Sequence, residues 1–153
     1  MTGKPAPIPQ PAVTPNLTVK GAASAIEFYK KAFGARETMR LAEPSGRIGH
    51  AEMTISGSPI MISDEYPELD VLSPQSRGGS SVGILVYVED VDQVVARAVA
   101  EGATALSPVV DEFYGDRVGK LVDPFGHIWY VATRKEDMSA AEVTRRYEDL
   151  MKQ

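Results

Sequence analysis

The feature that most constrains this chain is an order of elements that runs through it twice. "VTPNLTV" alternates like a strand. "GAASAIEFYKKAFGA" keeps helical spacing at Ile26, Tyr29 and Phe33, and Gly34 supplies a stop. "RETMRLAE", "RIGHAEMTIS" and "IMISDE" read as three strands, the last two joined by "GSP". The second half repeats this. "VGILVYVED" is a strand, and "DVDQVVARAVAEGA" is a helix with Asp90 or Asp92 near its cap and Gly102 at its end. "TALSPVV", "DRVGKLVD" and "HIWYVAT" follow as strands. Val19 matches Val88, Gly34-Ala35 matches Gly102-Ala103, and Gly57 matches Gly126, at an offset of 68 to 69 residues. Two copies at this period mean a duplicated βαβββ module, not a solenoid. The expected fold class is α+β.

Around the repeat, the chain divides at changes of composition. Residues 4 to 15 hold five prolines. Proline removes the amide donor, so 1–12 reads as an extended arm. The first module is 13–68 and the second 82–134. Between them, 69–81 lies in the aperiodic "DEYPELDVLSPQSRGGSS" and reads as a linker. In 135–153, "SAAEVTRRYEDLMKQ" opens on Ser139 as a cap and continues as an amphipathic helix that covers a sheet edge or a dimer mate. "DEYPELD" lacks the oxygen spacing and central glycine of a calcium loop.

Composition narrows the function classes. The net charge of −5 and scattered basic residues argue against nucleic acid, which needs a concentrated basic face. With no cysteine there is no disulfide, thiol nucleophile or thiolate metal site. No apolar run reaches the roughly 20 residues that span a bilayer. "MTGKPAPIPQPAVTP" has no apolar core of a secretory signal. The expected location is the cytoplasm, with no membrane partner.

"LTVKGAASAIEFYKKAFGA", "GHAEMTISGSPIMISDE", "LVYVEDVDQVVARAVAEGA" and "FYGDRVGKLVDPFGHIWYVAT" resemble the vicinal oxygen chelate superfamily, and within it the PhnB-like branch. That superfamily includes glyoxalase I, extradiol dioxygenases and bleomycin-resistance proteins. The resemblance covers residues 13 to 134. It implies a cupped eight-stranded mixed sheet, four strands per module, with the helices outside. It also implies a site inside the cup, where the family's metalloenzymes place His, Gln or Glu ligands. Those positions fall near Thr14, Met61, Gly83 and Tyr130, so no metal or other cofactor is expected.

Strand alternation assigns side chains to the two faces. On "RIGHAEMTIS", Ile48, His50, Glu52 and Thr54 are expected in the cup, and Ala51, Met53 and Ile55 under the helix. The repeat offset then puts Arg117, Gly119 and Leu121 in the cup. Asn16, Met61, Tyr87 and Tyr130 join them, with Tyr114 and Asp116 at the rim. His127 and Trp129 face the helices. Aromatic walls with one cation, one carboxylate and one imidazole suit a small-molecule site.

Each residue carries a plainer alternative. His50 and Glu52 are an acid/base pair, or a hydrogen bond on a polar sheet face. Arg117 is a fork for a ligand anion with Glu52 as its resting partner, or a surface ion pair. Tyr114 and Tyr130 contact ligand, or simply pack. His127, in "DPFGH", bonds a carbonyl to hold its hairpin.

The leading expectation is a metal-independent homodimer of the bleomycin-resistance kind, binding a small planar or anionic molecule. One alternative is a glyoxalase-like lyase or isomerase that uses Glu52 and His50 with a non-standard metal site. Another is a structural or regulatory dimer without a ligand.

Overall fold

A computed structural model describes residues 3–153; Met1 and Thr2, the start of the expected arm, lie outside the described residues. The first repeat forms β1 (Asn16–Val19), α1 (Ala22–Phe33), β2 (Arg36–Ala42), β3 (Ile48–Ile55) and β4 (Ser58–Asp64). A 3-10 turn at Pro67–Leu69 and a short helix, α2 (Pro74–Arg77), follow. The second repeat forms β5 (Gly83–Tyr87), α3 (Val91–Ala100), β6 (Thr104–Ala105), β7 (Val110–Asp111), β8 (Asp116–Val122) and β9 (Ile128–Arg134). The C-terminal helix is α4 (Ala140–Met151).

The fold is α+β, but its strands form two sheets where the resemblance implied one of eight strands. The first has the order β1-β4-β3-β2; the second has the order β5-β9-β8-β6, with β7 also on β8. β1 runs parallel to β4 and β5 parallel to β9, and the remaining pairs are antiparallel. "TALSPVV" is not one strand. It breaks into β6 and β7 around Pro108, which has no amide to give the ladder. The linker is also more ordered than its composition suggests. Ser73 caps α2 by accepting from the Ser76 amide. The Glu65 carboxylate accepts from the Ser73 amide and both hydroxyls. The Ser73 hydroxyl first, then Ser76, lowers the Glu65 pKa to about 2.

Each sheet has one covered and one open face. α1 buries Ala25, Ile26, Tyr29, Ala32 and Phe33 over the first sheet; α3 buries Val91, Val95 and Ala98 over the second. Gly119 of β8 lets α3 approach: a Cβ there would meet Val95 and Val109 at 3.0 and 2.9 Å. α1 has no side-chain cap of its own. Asp64, at the end of β4, serves instead: its Oδ1 accepts from the Gly21 and Ala22 amides, and its Oδ2 from Ile48. One carboxylate thereby ties helix entry, β3 and β4 together, and a negative charge at a helix start is favourable.

The seam between repeats is buried and aromatic. Phe33 lies 4.5 Å from Trp129, and Tyr29 lies 5.4 Å from it, centroid to centroid. Asp123 is buried among them. It accepts from the Tyr29 hydroxyl (2.6 Å), the Trp129 indole (2.9 Å) and the amides of Phe125 and His127. Burial first, then the adjacent carboxylate, pushes the Tyr29 pKa well up, which keeps its proton available to donate. The His127 ring meets the Thr18 carbonyl at 3.0 Å. A carbonyl only accepts, so Nε2 carries the proton. The Thr18 carbonyl belongs to β1, so His127 ties the two repeats together rather than its own hairpin, and Trp129 is fully buried.

Candidate functional site on the open sheet faces

Cross-strand register decides what each open face carries. In the first sheet, Asn16, Met61, Glu52 and Met39 lie in one row across β1, β4, β3 and β2. His50 pairs with Leu41 in the next. His50 Nε2 is 3.1 Å from Glu52 Oε1, and both side chains are partly open to solvent. Leu41, 57 % exposed, stands beside them. This face therefore sets an imidazole–carboxylate pair among thioether and aliphatic groups. Asn16, His50, Glu52 and Met61 share it, as strand alternation indicates.

Ile48 does not share it. The β2–β3 register shifts between Leu41 and Ala42, leaving Gly49 as an extra residue. A bulge reverses the alternation beyond it, and Ile48 enters the core at 1 % exposed.

The second open face differs in a way that corrects the expected site. Leu85 pairs with Tyr130, and Tyr130 with Lys120. Tyr87 pairs with Ala132, and Ala132 with Val118. Asp116, Val118, Lys120 and Val122 therefore lie on the face away from α3, Asp116 and Val118 buried there and Lys120 and Val122 partly exposed. Arg117, Gly119 and Leu121, expected in the cup, face the helix side. Arg117 lies away from His50 and Glu52. Its guanidinium grips Asp92 of α3 through Nε (2.8 Å) and Nη2 (3.0 Å), and Asp111 through Nη1 (3.2 Å). Those carboxylates, Asp92 foremost, raise its pKa further. The physical reason is the period of two: an error of one residue sends every side chain of a strand to the other face. Glu52 pairs with Met61 and Lys120 with Tyr130, so Glu52 corresponds to Lys120 at an offset of 68. Applying 69, which holds at Gly57 and Gly126, carries Glu52 to Leu121 and Ile48 to Arg117, and so turns the wrong set of β8 side chains into the cup.

Tyr87 and Tyr130 lie on this face as expected. Tyr130 crosses β5: a Cβ on Gly83 would overlap its ring. The Tyr87 hydroxyl donates to Asp116 Oδ2 at 2.7 Å, and that bond, more than burial, raises the Tyr87 pKa. Tyr114 is partly buried at the rim; burial, then the charges of Glu112 and Asp116, raises its pKa. Its ring is edge-on to Phe113, which in turn meets Tyr147 of α4. α4 thus reaches the rim of the second face, held there by Arg146 bonded to Glu136 and the Phe113 carbonyl.

Two cations on this face were not anticipated. Lys120 Nζ lies 5.5 Å from the Tyr130 ring centroid, and the Arg134 guanidinium lies 5.8 Å from that of Tyr87. Both were legible in principle: Gly34 and Gly102 already differ by 68, which carries Glu52 to Lys120, and Arg134 follows Tyr130 at a period of two.

The expected ligand residues are not gathered in one cavity. Clefts run instead along the seam. One, of about 470 Å³, is lined by Asn16, Leu17, Gly83, Leu85 and His127 among others. Another, of about 410 Å³, lies between the arm at Pro11, Val13 and Pro15, the β3–β4 hairpin, and β5 from Ile84 to Tyr87. Asn16, Leu85 and Tyr87 connect these clefts to the open faces.

The positions Thr14, Met61, Gly83 and Tyr130 do not fit a divalent metal. They offer a hydroxyl, a thioether, no side chain and a phenol whose ring covers the glycine. Such ions want imidazole, carboxylate or thiolate. Among the described residues no three His, Asp or Glu side chains cluster to hold one. Nor does any helix among them have the length and apolarity to cross a membrane.

An uncharacterised protein of Mycobacterium tuberculosis is 39% identical over 137 residues, covering 88% of this chain and 81% of that one. The crystal structure of an Arabidopsis thaliana gene product superposes with a TM-score of 0.64 at 32% identity, over 78% of this chain and 96% of that one. A PhnB protein from Bacillus cereus shares the fold with a TM-score of 0.63 at 20% identity, over 79% and 98% of the two chains. The family model for the glyoxalase/bleomycin resistance protein/dioxygenase superfamily matches residues 11–131. With its two βαβββ repeats and paired open faces, the chain belongs to that superfamily.

Proposed function

We propose that this protein binds a small planar organic molecule on its open sheet faces without needing a divalent metal. The observation that carries the reading is the second open face. There Leu85 and Tyr87, 50 and 47 % exposed, stand beside Tyr130 with charged groups at their edge. Exposed flat apolar surface with a few polar groups suits a ring that stacks and is then oriented. The donor set at Thr14, Met61, Gly83 and Tyr130 supports metal independence.

In this reading the working unit is a homodimer. A face left open on one chain is completed by a second chain related to it by a two-fold axis. Light scattering at micromolar concentration then gives twice the chain mass; the mass of one chain contradicts the dimer.

N-phenyl-1-naphthylamine, a neutral planar fluorophore, tests the binding. The folded protein enhances its emission, dialysis against EDTA leaves the titration unchanged, and Tyr130→Ala weakens it. No enhancement, or enhancement lost with EDTA and restored by zinc, contradicts the reading. The hydrogen bond between His50 and Glu52 favours a second reading, a lyase or isomerase that moves a proton between these side chains. Turnover of an α-keto hemithioacetal that disappears in Glu52→Gln supports it, and unchanged turnover dismisses it.

A further inference from the structure

We propose that the second open face selects a flat monoanion, an aryl carboxylate or sulfonate, and that Lys120 is the residue that selects it. The inference rests on the binding reading above and adds the charge of the ligand. Lys120 projects from the middle of β8 and is only partly exposed. Its ammonium lies over the Tyr130 ring, in the row that also carries Leu85.

Among the described residues it makes no ion pair. The other cation on this face, Arg134, meets Asp137 at 3.8 Å. The single carboxylate at the outward positions of β5, β8 and β9 is Asp116. It is 5 % exposed and already accepts from Tyr87. Four residues along a strand also place it about 13 Å from Lys120, too far to neutralise it. A partly desolvated ammonium without a counter-ion is costly. The ring quadrupole of Tyr130 offsets part of that cost, and an arriving anion would offset more.

The neighbours define the rest of the ligand. Tyr130, Leu85 and Tyr87 offer flat apolar surface next to the charge. A phosphate dianion wants several convergent donors; one ammonium in an aromatic row suits a single negative charge conjugated to a ring.

The test compares 2-naphthoate with 2-naphthamide, equal in shape and different in charge, by calorimetry on the full chain. The expected result is naphthoate binding roughly tenfold tighter, the scale of one charge-assisted contact. Lys120→Met is expected to erase the preference and Lys120→Arg to keep it. On the unmodified protein, added sodium chloride is expected to narrow the gap, a check that needs no variant to fold. Equal affinities for the two compounds, or a preference that survives Lys120→Met, overturns the charge selection and leaves planar binding standing. If neither compound nor the neutral fluorophore binds, the binding reading falls and this inference with it.

Discussion

Two tyrosine–aspartate hydrogen bonds of nearly equal length end on aspartates of the second repeat, and they do different work. Tyr29 to Asp123 spans 2.6 Å in the sealed seam. Tyr87 to Asp116 spans 2.7 Å on an open sheet face. Asp123 has four donors and no access to water worth the name; it organises two backbone amides, an indole and a phenol from both repeats. Asp116 is equally buried, but its phenol partner is half exposed and available to a ligand. The same pair of residue types is a rivet where both partners are enclosed and part of a surface where one is not. Burial of the donor, not the bond length, separates the roles.

The sharpest way to break this contrast is Asp123→Ala. It strands a buried hydroxyl, an indole N–H and two amides at once. Each unsatisfied group costs about 1–3 kcal/mol, so urea denaturation is expected to show a loss of about 3 kcal/mol or more. A loss under about 1 kcal/mol means that the seam is wet or differently paired.

Next in size is Tyr87→Phe. It removes one donor from Asp116, but the hydroxyl belongs to a half-exposed side chain and water can take its place, so the expected stability loss is about 1 kcal/mol. Binding of the planar fluorophore is expected to change along with it. An effect on stability as large as that of Asp123→Ala erases the distinction between the two pairs.

Arg117→Ala gives the smallest effect. Two solvent-screened ion pairs, to Asp92 and Asp111, are lost, and the stability change is expected to be smaller than that of Tyr87→Phe. Fluorophore affinity is expected not to move. A several-fold loss of affinity would return Arg117 to the open face and refute the β8 strand phase.

That strand shows where the sequence stops being legible. The repeat reveals the fold, because Gly34 and Gly102, Gly57 and Gly126, and the helix periodicities are local signals that agree with one another. The faces of β1, β4, β5 and β9 are legible because their covered sides are apolar in mid-strand, as with Ile60 and Ile62 against Met61. In "DRVGKLV" the rule gives no answer. Arg117 escapes the core at the margin of α3, while Lys120 stands on the open face, so both faces of β8 are mixed. The bulge that reverses Ile48 has one local mark, Gly49 inside the strand, which strict alternation passes over. Asp64 capping α1 from 42 residues away, and Asp123 reaching Tyr29 of the other repeat, are decided by the assembled fold. His50 and Glu52 were found because two polar residues on one face of an otherwise apolar strand have few places to go.

The most direct test of the ligand face uses the absence of cysteine from the chain. Leu85→Cys places a single thiol on the open face beside Tyr130, and Val99→Cys places one on the exposed side of α3. The rate of reaction with a thiol reagent is measured with and without 2-naphthoate. At four times the dissociation constant, mass action predicts roughly fivefold protection of Leu85→Cys if the ligand covers it, and none of Val99→Cys. Equal rates at Leu85→Cys with and without ligand, under conditions where calorimetry shows the ligand bound, would contradict the assignment of this face as the binding site.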